Sequence, residues 1–140
     1  MIILDTNVVS EPMAKRPSEQ VMDWLDQQSE PMLFLATPVI AELSSGANEF
    51  VRRTGSRRYL TMLERLLIEY EGKILDLRVD DAIEFGKVNA ARNALGRPIK
   101  PLDAMIAAIC ISHGATLATR NVRDFAGLDL KLVNPFEAGA

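Results

Sequence analysis

The feature that most constrains this chain is its rhythm. Short apolar runs suited to strands occur at Ile2–Leu4, Leu33–Ala36, Ile74–Leu77 and Thr116–Ala118, with a weaker fifth at Leu130–Val133, and most are separated by segments of helical spacing. A helix between two strands returns the chain to its starting edge, so the strands it joins run parallel. The rhythm predicts an α/β fold with a mostly parallel central sheet of four to five strands, flanked by helices and connected by right-handed crossovers. At 140 residues the chain reads as one domain, 1–140, large enough to bury a core without disulfides.

Local signals place the helices. Val21, Trp24 and Leu25 follow a Ser18 that can cap. Thr37-Pro38 offers Thr as N-cap and Pro at the first helical position, and Val39, Ile40, Leu43 and Ala47 then form an apolar stripe. Leu60, Leu63, Leu67 and Tyr70 mark a third helix closed by Gly72. The helical pair between Leu35 and Ile74 is longer than one crossover needs and is expected to form an arm, with its turn in the basic stretch Arg52–Arg58. A fourth helix opens at Asp80 or Asp81, buries Phe85 and Val88 and ends near Gly96. The fifth starts around Pro101, runs through Ala104–Ile111 and stops at Gly114, with His113 best explained by the negative field of its last turn. Cys110, the one cysteine, lies in that apolar run and reads as a reduced core thiol, in keeping with a cytoplasmic home. Trp24, Tyr59, Phe85 and Phe125 read as core.

No stretch reaches the roughly 18 apolar residues of a membrane helix, and Asp5 interrupts the apolar start before a signal-peptide core could form. The net charge is −3, from 16 basic and 19 acidic residues, which excludes a generally basic nucleic-acid binder. Positive charge is local: Lys15 and Arg16; Arg52, Arg53, Arg57 and Arg58; Arg97 and Lys100; Arg120 and Arg123.

Within this frame the acids matter most. Asp5 ends the first strand, where it could cap a turn or join a site, because ligands of parallel sheets gather at the carboxyl ends of strands. Glu42 sits beside the buried stripe of its helix and is not where a capping box would put an acid. Asp103 opens the most apolar helix, where the dipole also favours an acid. Thr119, Asn121 and Asp124 follow the strand at Thr116–Ala118. Asp5, Glu42, Asp103 and Asp124 can converge at one sheet edge. Carboxylates that close repel unless a divalent cation neutralises them, and an oxygen-only set points to Mg²⁺ or Mn²⁺ rather than zinc. Such a site supports metal-dependent phosphodiester hydrolysis.

Four stretches, MIILDTNVVSE, TPVIAELSSG, IKPLDAMIAAI and LATRNVRDF, followed by the closing NPF, together resemble the PIN-domain ribonucleases, and among them the VapC-like toxins of toxin–antitoxin pairs, with an opening like the FitB-type subgroup. The resemblance covers essentially the whole chain. It implies that Asp5, Glu42 and Asp103 are catalytic metal ligands and that Asn7 supports the first acid. It leaves open whether Asn121 or Asp124 completes the shell, with Thr119 as a hydroxyl partner in the same loop. It further implies an Mg²⁺- or Mn²⁺-dependent endoribonuclease, a homodimer and a small VapB-like antitoxin that places an Arg in the acidic pocket. Arg120 and Arg123 are the expected RNA contacts.

Two other readings compete. An Asp-based phosphotransfer domain would want a second acid two residues after Asp5, where this chain has Asn7. A catalytically inactive binding domain would need a structural task for Glu42, and the sequence offers none.

Overall fold

Every pair of neighbouring strands is parallel in the computed structural model, which describes residues 1–140. The strands β1 (Ile2–Leu4), β2 (Leu33–Ala36), β3 (Ile74–Leu75), β4 (Thr116–Ala118) and β5 (Lys131–Val133) form one sheet in the order β3-β2-β1-β4-β5. Ile2 lies opposite Leu33 on one side and Thr116 on the other, so β1 is central and buried by both neighbours. Six helices fill the connections: α1 (Thr6–Val9), α2 (Glu19–Gln27), α3 (Thr37–Thr54), α4 (Arg58–Glu69), α5 (Val79–Ala94) and α6 (Pro101–His113). From β1 the chain steps outward to β2 and β3, then returns through α5 and α6 to the far side of β1. The carboxyl ends of β1 and β4 therefore flank a topological switch point, the place where open α/β sheets form their crevice.

The expected elements are present, with three adjustments. The run Ile74–Leu77 pairs only through Leu75, because the Leu77 N–H turns away and donates to the Thr37 hydroxyl at 3.3 Å. This leaves a short edge strand, which limits unwanted pairing. Thr37 is consequently not the N-cap of α3. The cap is Ala36, Thr37 is already helical, and its side chain serves the β3 exit instead. At the other edge Leu130 stands outside β5, its N–H bonded to Leu128 O in a turn.

Helix α6 lies at the centre of the packing. Ala104, Ile106, Ala107, Ala108, Ile109 and Cys110 are all buried, so the helix is covered on every side and shows no amphipathic stripe. Its alanines allow close approach to α5 and α3, which pack on it. Burial pushes the Cys110 thiol far up, leaving it protonated and inert. Gly114, at φ 60, closes the helix, and His113 Nδ1 lies 2.9 Å from Ile109 O in the last turn. Trp24 and Phe125 are core residues, whereas Phe85 and Tyr59 are only half-buried. No helix is long and apolar enough to cross a membrane.

Candidate metal centre

Asp5 reaches the crevice because β1 ends one residue before it. Its N–H bonds Ala118 O at 2.9 Å, extending the β1–β4 ladder and fixing the backbone at the switch point. One carboxylate oxygen caps α1 by accepting the Thr6 N–H at 2.8 Å. The other accepts the Thr119 hydroxyl at 2.7 Å and the Asn7 amide at 3.3 Å. Asp5 thus caps α1 and also stands in an acidic cluster, so the two readings that the sequence left open do not exclude each other. It is 4% exposed and has no cationic partner, since the two ion pairs, Arg52–Glu49 and Lys87–Glu84, lie elsewhere on the surface.

Helix α3 starts straight from β2 and so carries Glu42 over the same end of the sheet, where the first turn of α6 brings Asp103. Asp5, Glu42 and Asp103 each offer an oxygen within 4.8 Å of the other two. Glu42 Oε1 and the Thr6 hydroxyl are buried with no hydrogen-bond partner. Electrostatics follows from this crowding. Burial, then the charges of Asp5 and Asp124, push Asp103 up to about 6, with Lys100 opposing. Burial, then Asp5 and Asp103, raise Glu42, against the weaker pull of the nearby Thr6 hydroxyl and Lys100. Asp5 is raised by burial against the pull of Thr119, Thr6 and Asn7.

The remaining expected residues divide. Thr119 is fully buried; besides donating to Asp5, its hydroxyl accepts the Asn121 N–H at 3.0 Å. Asn7 accepts the Arg120 N–H at 2.9 Å, joining α1 to the loop after β4. Asp124, exposed on the 3-10 turn Val122–Phe125, stands outside the close set but near enough for its charge to act on Asp5 and Asp103. Arg120 and Arg123 are exposed beside it, the Arg120 guanidinium lying 4.6 Å from the centre of the Phe136 ring.

Sequence reasoning missed Thr6, although it sits inside the DTN stretch, and it placed Lys100 only in a basic cluster. It also assigned Tyr59 to the core. Tyr59 instead meets Phe50 edge-to-face at 4.8 Å and lines, with Phe50 and Arg53, a cleft of about 530 Å³ that opens beside Glu42 and Thr6.

Three carboxylates this close, one of them with an unpartnered oxygen and no histidine or thiolate among them, fit a hard divalent cation. A family model described as PIN domain matches residues 2–130. The chain belongs to the PIN-domain family. Over 140 residues this PIN domain is 35% identical to the plasmid stability protein StbB of Pseudomonas syringae pv. tomato, covering 99% of this chain and 100% of that one. It is 33% identical to the VapC ribonuclease Y4jK of Sinorhizobium fredii, covering 98% and 99% of the two chains. Among solved structures it is similar to FitAcB from Neisseria gonorrhoeae, with TM-score 0.88, 31% identity and coverage of 98% and 99%. The single α/β domain with its five-stranded parallel sheet is the PIN fold.

Proposed function

We propose that this PIN domain is a divalent-metal-dependent endoribonuclease and the toxin of a toxin–antitoxin pair. The observation that carries the reading is the convergence of Asp5, Glu42 and Asp103, with oxygens within 4.8 Å of one another, at the switch point of the sheet. Its relatives support it: one is named a VapC ribonuclease, another the toxin FitB, and similar folds occur in FitAB and VapBC complexes.

Asp5, Glu42 and Asp103 are assigned as ligands of Mg²⁺ or Mn²⁺. Thr119, Asn7 and the Thr6 N–H orient Asp5 for this role, and Lys100 moderates the charge on Asp103 and Glu42. When bound, such an ion supplies an activated water at neutral pH and positive charge for the phosphodiester oxygens. Asp124 acts from the exposed rim, with Asn121 beside it, on the water side of buried Asp5 and half-buried Glu42 and Asp103. The RNA backbone is assigned to Arg120 and Arg123 on one side and to Arg53 at the cleft on the other. An antitoxin guanidinium placed among the same carboxylates would silence the site by replacing the ion's charge. The chain is proposed to act in the cytoplasm as a homodimer.

The test is cleavage of total RNA by the purified, partner-free chain with Mg²⁺ or Mn²⁺, with chelator, and with Asp103→Asn. Metal-dependent cutting that the variant lacks, and growth arrest on expression that the same substitution relieves, are the expected outcomes. No cutting of any RNA by well-folded protein overturns the reading.

A further inference from the structure

Arg92 is 4% exposed, lies in the last turn of α5 and has no carboxylate partner. A buried guanidinium without a counter-charge is costly unless its donors are well used. Here they are directed at backbone oxygens. Nε donates to Arg97 O at 2.8 Å, and Nη1 donates to Ala126 O at 2.6 Å and to Arg123 O at 3.4 Å. The Arg97 N–H returns a bond to Arg92 O at 3.0 Å, closing the helix end in a Schellman pattern.

The two segments held in this way are those that deliver Asp103 and Asp124 to the acidic site. Arg97 opens the loop that leads through Lys100 into the first turn of α6 and Asp103, while Arg123 and Ala126 bracket Asp124 on its 3-10 turn. The same end of α5 grips that turn a second time. Gly127 has φ +85, and a Cβ added there would stand 2.4 Å from Leu95 Cδ1, so Leu95 packs directly against the glycine backbone.

We propose that Arg92 is a positioning residue of the acidic centre, a latch that sets the spacing between Asp103 and Asp124 by tying both of their loops to α5. It acts through geometry rather than charge: the cation that lowers Asp103 is Lys100. The planar fork explains why the position is Arg, since one rigid group reaches two chain segments at once, which a lysine ammonium on a flexible stem does not reproduce. The assignment of the centre as a nuclease enters only through the rate measurement below.

Full-length wild type, Arg92→Lys and Gly127→Ala are compared, with Ile109→Val as a core variant that lowers stability without touching either loop. Amide hydrogen exchange is expected to speed up at Arg97, Ile99 and Lys100 and at residues 119–127 in Arg92→Lys, and at 119–127 in Gly127→Ala, while β1 and α6 stay protected. Mn²⁺ titrated alone should bind about tenfold more weakly to Arg92→Lys, the usual scale for losing support behind a ligand. RNA cleavage should lose about a hundredfold in kcat with KM unchanged, as for a misplaced reacting group. Exchange that rises uniformly, as in Ile109→Val, or turn amides that stay protected in Arg92→Lys, would overturn the latch. So would normal Mn²⁺ affinity in Arg92→Lys. Should wild type cut no RNA, the nuclease reading falls while the exchange measurement still decides the latch.

Discussion

Asp103 is the acid whose charge is easiest to follow, because burial and the fields of Asp5 and Asp124 lift it from an ordinary 3.8 to about 6. A carboxyl raised on folding holds its proton more tightly in the native state. Its ionisation therefore costs stability as pH rises from about 4 through 6, and the cost is absent below its unfolded value. Asp103→Asn should accordingly melt above wild type at pH 7 without metal, and the gap should close toward pH 4 in thermal scans; a gap independent of pH would contradict the assignment. A bound divalent ion reverses the balance, since it requires the ionised form. Mn²⁺ affinity measured by calorimetry should then fall as pH drops below about 6. Thr119 illustrates the opposite kind of contribution. Its hydroxyl is fully buried and serves Asp5 and the Asn121 N–H together. Thr119→Val keeps the shape, leaves that Asp5 oxygen with only the longer Asn7 bond and takes the acceptor from the Asn121 N–H, so a loss of about 1–3 kcal/mol in urea unfolding is expected.

At the scale of elements, α6 sets how precisely Asp103 is held. The helix is packed tightly on every side, so added volume has nowhere to go. Ala107→Leu should lower the urea midpoint by about 1–3 kcal/mol in stability at unchanged m, and an unaffected midpoint would show that the packing has slack. The sequence reveals this helix through Pro101, Gly114 and its apolar run rather than through periodicity, because all-round burial erases the stripe. The strands were legible for a similar reason: β1 is buried by both neighbours and reads as plain apolar. The end of β3 was not, since the Leu77 N–H abandons the sheet for a hydroxyl far away in sequence. Asp5, Glu42 and Asp103 could be picked out because each is an acid in an apolar setting. Thr6 and Arg92 could not. Arg92 sits among alanines as any exposed helical arginine might, and its acceptors at Arg123 and Ala126 lie 31 and 34 residues away. Only the fold brings them within reach.

Taken as a whole, the molecule carries a net −3 and gathers three acids where an RNA phosphate would have to come. Attraction must then be local, and in the proposed reading it comes from two arginines of the loop after β4 that are held differently. Arg123 is exposed, with only its backbone carbonyl engaged by Arg92. Arg120 is oriented, its guanidinium stacked toward Phe136 and its N–H fixed by Asn7. Charge alone is needed at the first position; at the second, the planar group and its ring partner also matter. Arg123→Lys should therefore leave RNA affinity near wild type, whereas Arg120→Lys should raise KM. Arg123→Ala should reduce the salt dependence of RNA binding by about one phosphate contact. Mn²⁺ affinity should be unchanged in all three, because neither arginine side chain is bonded to Asp5, Glu42 or Asp103. Filter binding across a salt series, beside Mn²⁺ calorimetry, separates these effects. Equal loss of RNA and Mn²⁺ binding in the alanine variant would mean that the loop had shifted as a body, and that Arg123 holds the acidic centre rather than the RNA.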